Sequence, residues 1–548
     1  MKNCRYITTA IPYANARPHI GNALDYLYAD IWARYQRKRH QNVRFAVGID
    51  EHGNKIAQKA AELGKTPQAF VDENHLNFKV LMEKVGAEYT DFVRTTDSHH
   101  VGAVQYIWSK LAPYLYKATY DGWCCVGCER FFTDTEVQEC NGVCPDHQKP
   151  LEHFTEENYY FKASAFTDQV RQAIESDQLR IVPEMRKNEF LNLIKDGLSD
   201  VSVSRPQKSL AWGVSVPDNP SQVMYVWFDA LSNYLTGIGY PDQPGWDEVW
   251  PADVQVIGKD ILRFHAGLWP AMLLALGLPL PKTLLVHGHI HVAGAKMSKT
   301  VGNVVDPIEV IDTYGRDAFR YYFSRHIPTQ DDGDFTWEKF ETAYNSELGN
   351  DLGNLVQRVV KMLEKYQSGV IAEANEANHD ENVYIQAMKA LKYNQAMDEV
   401  WSFVQGLNKY IDSVKPWEVA KRQATDTDAK HHLEEIMHNL VAGLLQMSNL
   451  LEPFMPDTAA KIKQIFASGV IDSSVLPLFP KIYVHTSDPR QRRTIVSNQP
   501  KASQAVAPSA STADQSVLLS DVPADQVTLA NSPASTSNNS AGEHASNR

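Results

Sequence analysis

Cysteine is scarce in this chain, six residues in 548, far too few for the disulfide framework of a small secreted domain. No apolar run reaches the ~18 residues of a membrane-spanning helix. The opening Met1-Lys2-Asn3-Cys4, followed by a strand-like segment, reads as the approach to a strand rather than as a signal peptide. The expectation is a cytoplasmic protein without membrane segments. Basic charge is in deficit too: 53 Lys and Arg against 66 Asp and Glu give a formal net charge of −13. That excludes a polyanion binder working through overall positive potential and confines any nucleic-acid contact to local patches. No Phe, Trp or Tyr follows Tyr483, and residues 501–548 contain 10 Ser, 10 Ala and 3 Pro. Such a segment cannot build a core, and it reads as a neutral, disordered appendage.

The rest is globular in composition, with 43% hydrophobic and 22% charged residues. At ~150 residues per domain, the length suggests roughly three or four folded units. Tyr6-Ile7-Thr8-Thr9-Ala10-Ile11 is rich in β-branched residues and ends at Pro12, a buried-strand pattern. Leu24, Leu27, Tyr28, Ile31 and Tyr35 then recur at helical spacing, and Val43 to Ile49 reads as a second strand. This is a βαβ unit of a parallel sheet. A similar stretch, a strand at Val254 to Ile257, a helix at Ile261 to Leu276 and a strand at Thr283 to Val286, implies that a Rossmann-type sheet is split by an insertion. The expected division is a first half over 1–115, an α+β insertion over 116–225, a second half over 226–295, a connecting region over 296–349, a helical bundle over 350–483 and the appendage over 484–548. No fixed-period repeat is present, which excludes a solenoid.

In open parallel sheets, ligands bind outside the carboxyl ends of the strands, where the following helices point their positive N-termini. Polar clusters fall at these ends: Tyr13 to Asn22 after the first strand, Asp50-Glu51-His52-Gly53 after the second, then Gly258-Lys259-Asp260, and Gly294 to Thr300 after the last. Each is a weak signal alone, and their co-location is what points to a site. Lys296 and Lys299 lie on a glycine-preceded loop able to close over an anionic ligand. Five of the six cysteines lie between 124 and 144. Cys125, Cys128, Cys144 and His147 form C-x2-C and C-x2-H pairs, a spacing suited to one tetrahedral, structural zinc. Cys124 and Cys140 are spare sulfurs, and a redox pair or free thiols is the alternative.

His19-Ile20-Gly21-Asn22 and Lys296-Met297-Ser298-Lys299-Thr300 resemble the two signatures of class I aminoacyl-tRNA synthetases. Ala10 to Asn15, Val47 to Gly53, Tyr225 to Ala230 and Ile257 to Asp260 resemble the methionyl-tRNA synthetase family of single-zinc type, and the likeness runs from Arg5 to Lys481. It implies a ligase that adenylates L-methionine with ATP and Mg2+ and then charges initiator and elongator tRNA(Met), the alternatives being a non-catalytic tRNA-binding relative or a ligase for another apolar amino acid. His19, Asn22, Lys296 and Lys299 would be catalytic, with Gly21, Gly258, Lys259, Asp260, Met297, Ser298 and Thr300 also binding ATP. Ala10, Ile11, Tyr13, Asp50, Trp227, Leu231, Tyr234, Ile261 and His265 would bind methionine. The bundle would read the anticodon through Asn354, Arg358 and Trp417, and the default state is a monomer. Asn22 stands where the signature has His, Thr300 where it has Ser, and Leu231 where some relatives have Pro.

Overall fold

A computed structural model of the protein describes residues 4–125, 130–132, 134–145, 148–296, 304–371, 380–466, 468–483 and 494–495. The expectations for Cys128, His147, Met297, Ser298, Lys299, Thr300 and the 501–548 appendage lie outside the described residues.

Six parallel strands form the central sheet, in the spatial order Asp91–Arg94, Asn42–Ile49, Cys4–Thr9, Val254–Gly258, Thr283–His287, Arg180–Val182. Their apolar residues are buried on both faces, as in Phe45, Ala46, Val47 and Ile49 or Val254, Val256 and Ile257, the pattern of a sheet covered by helices on both sides. After Cys4–Thr9 the chain moves toward one edge of the sheet, and after Val254–Gly258 toward the other. A crevice therefore opens beyond the carboxyl ends of these two adjacent strands. The helix Ile20–Lys38 buries Leu24, Leu27, Tyr28, Ile31 and Tyr35, the stripe its periodicity predicts.

The expected insertion over 116–225 is divided differently. Arg180–Val182 leaves it to pair in parallel with Thr283–Leu285 as the edge of the central sheet. Three residues are too short a strand for alternation to reveal. The rest includes an antiparallel sheet in which Leu115–Cys125 pairs with Glu152–Phe161. The helix expected over Ile261 to Leu276 is also broken, into a 3-10 turn at Lys259–Ile261, a π-helical turn at Phe264–Leu268 and an α-helix at Trp269–Ala275. Pro270 cannot donate to the helical ladder, and the wider turn precedes it. Helices Asn354–Gln367, Tyr393–Val414, Thr427–Leu451 and Pro456–Phe466 form the bundle.

Candidate functional site

The first two strands end side by side. The Asp50 N–H donates to Pro12 O at 3.0 Å and the Ala14 N–H to Asp50 O at 2.8 Å, which pairs Tyr13 with Asp50. Gly53, at φ +114°, leaves room for the Tyr13 hydroxyl, since a Cβ there would lie 2.0 Å from it. Gly48 likewise admits the Ile11 side chain, which a Cβ would meet at 2.8 Å. The Asp50 side chain is buried, and the His52 N–H donates to its Oδ1 at 3.4 Å. Trp212, returning from the insertion, donates its indole N–H to Glu51 O at 2.6 Å and fixes the same turn from above.

His19 caps the helix that follows the first strand. Its Nδ1 accepts from the Gly21 N–H at 3.1 Å, while Asn22 Oδ1 accepts from the His19 N–H at 3.0 Å, a reciprocal capping box. Asn22 thus does with an amide oxygen what the cap requires, without adding charge. Gly21 is needed because a Cβ would sit 2.9 Å from His19 Cε1. The exposed imidazole and the positive end of the helix it caps together suit an anion.

Beyond Val254–Gly258 the wall is aromatic. Trp227 stacks on Phe264 with ring centroids 3.9 Å apart, and His265 meets Trp227 edge-on. Tyr234 touches both His265 and Trp269. The His265 Nε2 lies 2.6 Å from the Tyr234 hydroxyl and its Nδ1 3.0 Å from Ile261 O. Burial pushes its pKa down to about 4, so at neutral pH the ring is uncharged, Nδ1–H donates to the carbonyl and Nε2 accepts from tyrosine. Leu231 is buried and Ile261 half-buried beside this group. The arrangement suits an apolar side chain with a polarisable atom.

Gly258 makes way for Asp260, whose Oδ1 would be 2.8 Å from a Cβ at 258. Asp260 faces His289 at 3.5 Å. Lys259 is paired with Asp332 at 2.7 Å, so its ammonium is held against the loop that enters the short strand Gly333–Phe335, and Asp332 also accepts from the His289 N–H at 2.8 Å. His287 Nε2 lies 3.0 Å from Asp25. Burial works against a charged His287, and the Asp25 carboxylate outweighs it, so the imidazole pKa is raised. From there Ile290–Val292 and Ala295–Lys296 form a hairpin turning at Ala293 and Gly294, both at positive φ. Lys296 pairs with His291, and the hairpin leads directly into 297–300.

Sequence reasoning missed Phe264, Trp269, His289, Asp332 and Trp212. It also missed a buried constellation in which Asp229 lies between His52 and His100. His52 lies in the Asp50–Gly53 cluster and Asp229 in the Tyr225 to Ala230 stretch, but neither segment pointed to the other or to His100.

Farther away, Cys125 and Cys144 are fully buried in one small core with Phe132 and Leu151. The Cys144 N–H donates to Lys149 O and the Gln148 N–H to Cys144 O, a tight knuckle-like turn. The spare Cys140 turns its thiol to Val137 O at 3.7 Å. In the bundle, Asn354 is exposed, and Arg358 reaches Asp412 at 2.9 Å, five residues before Trp417. Trp417 is 39% exposed rather than part of the core.

A doubly wound parallel sheet, with a capped helix N-terminus, a buried carboxylate and an aromatic wall at its switch point, defines the class: a nucleotide-binding α/β enzyme core of the class I synthetase type. The family model described as "tRNA synthetases class I (M)" matches residues 5–152 and 146–360, and the chain belongs to that family. It is 42% identical over 477 residues to the methionine–tRNA ligase of Caldanaerobacter subterraneus, covering 84% of this chain and 74% of that protein. With the methionine–tRNA ligase of Clostridium perfringens it shares 43% identity over 473 residues, 83% of this chain and 72% of that protein. Among solved structures, Mycobacterium tuberculosis methionyl-tRNA synthetase in complex with methionyl-adenylate superposes with a TM-score of 0.78 at 36% identity, covering 84% of this chain and 94% of that one. The free form of the same enzyme superposes with a TM-score of 0.74 at 32% identity, covering 85% and 92%.

Proposed function

We propose that this chain is a methionine–tRNA ligase, which joins L-methionine to ATP as methionyl-adenylate and then passes methionine to the 3'-terminal adenosine of initiator and elongator tRNA(Met). In the first step a methionine carboxylate oxygen attacks the α-phosphorus in line and pyrophosphate leaves, so the protein supplies position and charge rather than a nucleophile. Asp50 pairs with the substrate ammonium in a largely desolvated place. Ala10, Ile11, Tyr13, Trp227, Leu231, Tyr234, Ile261 and His265 surround its side chain. His19, Lys296 and Lys299 stabilise the transferring phosphates, with Asn22 holding His19 in place. Gly21 and Gly258 admit adenosine, Asp260 meets the ribose, and Lys259 and 297–300 complete the ATP subsite, where Mg2+ accompanies the nucleotide.

Cys125, Cys128, Cys144 and His147 would hold one zinc, which when bound braces the insertion. Two thiols buried in a core this small fit such a donor set. Asn354, Arg358 and Trp417 offer polar edges and a ring face to unstacked anticodon bases. A cytoplasmic monomer completes the reading; among the described residues no helix is long and apolar enough to cross a membrane.

The observation that carries the reading is the uncharged His265, bonded to Tyr234 within an aromatic wall, in a chain whose relatives are methionine–tRNA ligases. ATP–pyrophosphate exchange with a panel of amino acids tests it. Exchange with methionine alone supports the ligase. Silence favours a non-catalytic tRNA-binding relative, and response to leucine or isoleucine a sibling ligase.

A further inference from the structure

Asp229 has no part in the roles just assigned, yet its carboxylate is only 1% exposed and is bonded on both oxygens. Oδ2 lies 2.6 Å from His52 Nδ1 and Oδ1 lies 2.8 Å from His100 Nε2. His100 Nδ1 in turn meets the Thr236 hydroxyl at 2.8 Å. Burial alone would raise this carboxyl, but the two imidazoles outweigh it and hold it down to about 2. An ionised carboxylate only accepts, so each imidazole must carry its N–H on the nitrogen facing Asp229: Nδ1 of His52 and Nε2 of His100.

The three side chains tie together separate elements. His52 belongs to the turn after the second strand, and its backbone N–H donates to Asp50 Oδ1. His100 lies on the helix Ser98–Leu111. Asp229 lies on the short helix Val226–Leu231, between Trp227, which stacks on Phe264, and Leu231. The group assigned to the methionine ammonium and the groups assigned to its side chain therefore stand on elements joined through one anion.

We propose that Asp229 is a positioning residue for the amino-acid substrate, which, through His52 and His100, sets the separation between the Asp50 turn and the helix carrying Trp227 and Leu231. The inference rests on the reading of these residues as the methionine subsite. The bonds of Asp229, His52 and His100 run to one another, to Asp50 and to Thr236, so the loss of Asp229 acts on methionine before ATP. The Asp229→Asn side chain keeps one acceptor but turns an amide N–H toward an imidazole N–H. The expected result is a rise in KM for methionine of about tenfold, with kcat and KM for ATP changed less than about threefold.

A crossed set of substitutions separates positioning from mere stability. Asparagine places its amide nitrogen close to where an imidazole carries Nδ1, and glutamine close to where it carries Nε2. His52→Asn should therefore raise KM for methionine several-fold less than His52→Gln, and His100→Gln several-fold less than His100→Asn. These are read by methionine-dependent ATP–pyrophosphate exchange on the full chain, beside a melting curve for each variant. The crossed pattern supports the proposal. A normal KM in Asp229→Asn overturns it, as do losses that follow the melting temperature alone and affect both substrates equally. A wild-type chain that exchanges with no methionine would instead overturn the functional reading itself, and this inference with it.

Discussion

Arg320 and Asp30 form an ion pair at 2.8 Å in which both side chains are fully buried. Asp30 lies on the helix after the first strand, and Arg320 also donates to Phe454 O at 2.7 Å, Pro453 O at 2.7 Å and Val85 O at 3.1 Å. One guanidinium thus joins the sheet's first helix to the end of the longest bundle helix. Asp30 is shared with Arg34 at 2.6 Å, so the carboxylate keeps a partner if Arg320 is lost, whereas the three carbonyls do not.

Arg320→Ala should accordingly be severe. Breaking a buried pair typically costs about 3 to 5 kcal/mol, and here the lost contacts lie between the sheet and the bundle. A melting curve should show a lower midpoint, with the bundle separating from the sheet as an earlier transition. A single unchanged transition would mean that apolar packing alone holds them together.

His265 gives a pH prediction whose sign is fixed by its depressed pKa, about 4 in the fold against the usual ~6.5. Below ~6.5 the unfolded chain takes up a proton that the folded one refuses, so stability is complete above that pH and is lost as pH falls toward 4. The full difference is roughly 3 kcal/mol. The gap in melting temperature between wild type and His265→Gln should narrow steadily from pH 7 to pH 4.5. A constant gap would mean that the imidazole is not buried uncharged.

Gly21→Ala tests the cap. The added Cβ would meet the His19 ring at 2.9 Å, turning the imidazole out of the geometry that accepts from the Gly21 N–H. If His19 acts on phosphates in the transition state, adenylation should slow by about tenfold or more while methionine affinity stays near wild type. Single-turnover kinetics would contradict this if the rate held and only methionine binding weakened.

Cys125→Ser and Cys144→Ser should each release the zinc and loosen the small core they share with Phe132 and Leu151. Metal analysis of the purified variants is decisive, since a full complement of zinc in both would remove these thiols from the ligand set. Cys140→Ser, whose thiol faces Val137 O, should keep its metal.

How much of this was legible in the sequence depends on distance along the chain. The helix behind His19, the Asp50 turn and the strand ends announce themselves within a few residues, because β-branched runs, glycines and helical periodicity are local signals. Asp229 meets His52 across 177 positions and His100 across 129, and no local pattern records such a pairing. Phe264 and Trp269 read as ordinary apolar helix positions until the π-helical turn before Pro270 brings one onto Trp227 and the other onto Tyr234. Arg180–Val182 is hidden by brevity.

Trp417 offers the clearest separation of the two halves of the reaction. A tryptophan is usually packed in the core, but this side chain is 39% exposed on the short helix that follows Lys415, a residue in the left-handed conformation at φ +46°. Its removal should therefore cost little stability. If its ring stacks on an anticodon base, the loss is about 1 to 3 kcal/mol, or roughly a 5- to 150-fold fall in kcat/KM for tRNA. Exchange of pyrophosphate needs no tRNA and should be unchanged. Arg358→Ala should behave in the same way, because its partner Asp412 is exposed and the pair between them is solvated. The comparison is both assays on one preparation of each variant, beside a melting curve. Parallel loss of exchange and charging, with a lowered melting temperature, would place Trp417 among the residues that hold the bundle together rather than those that meet RNA.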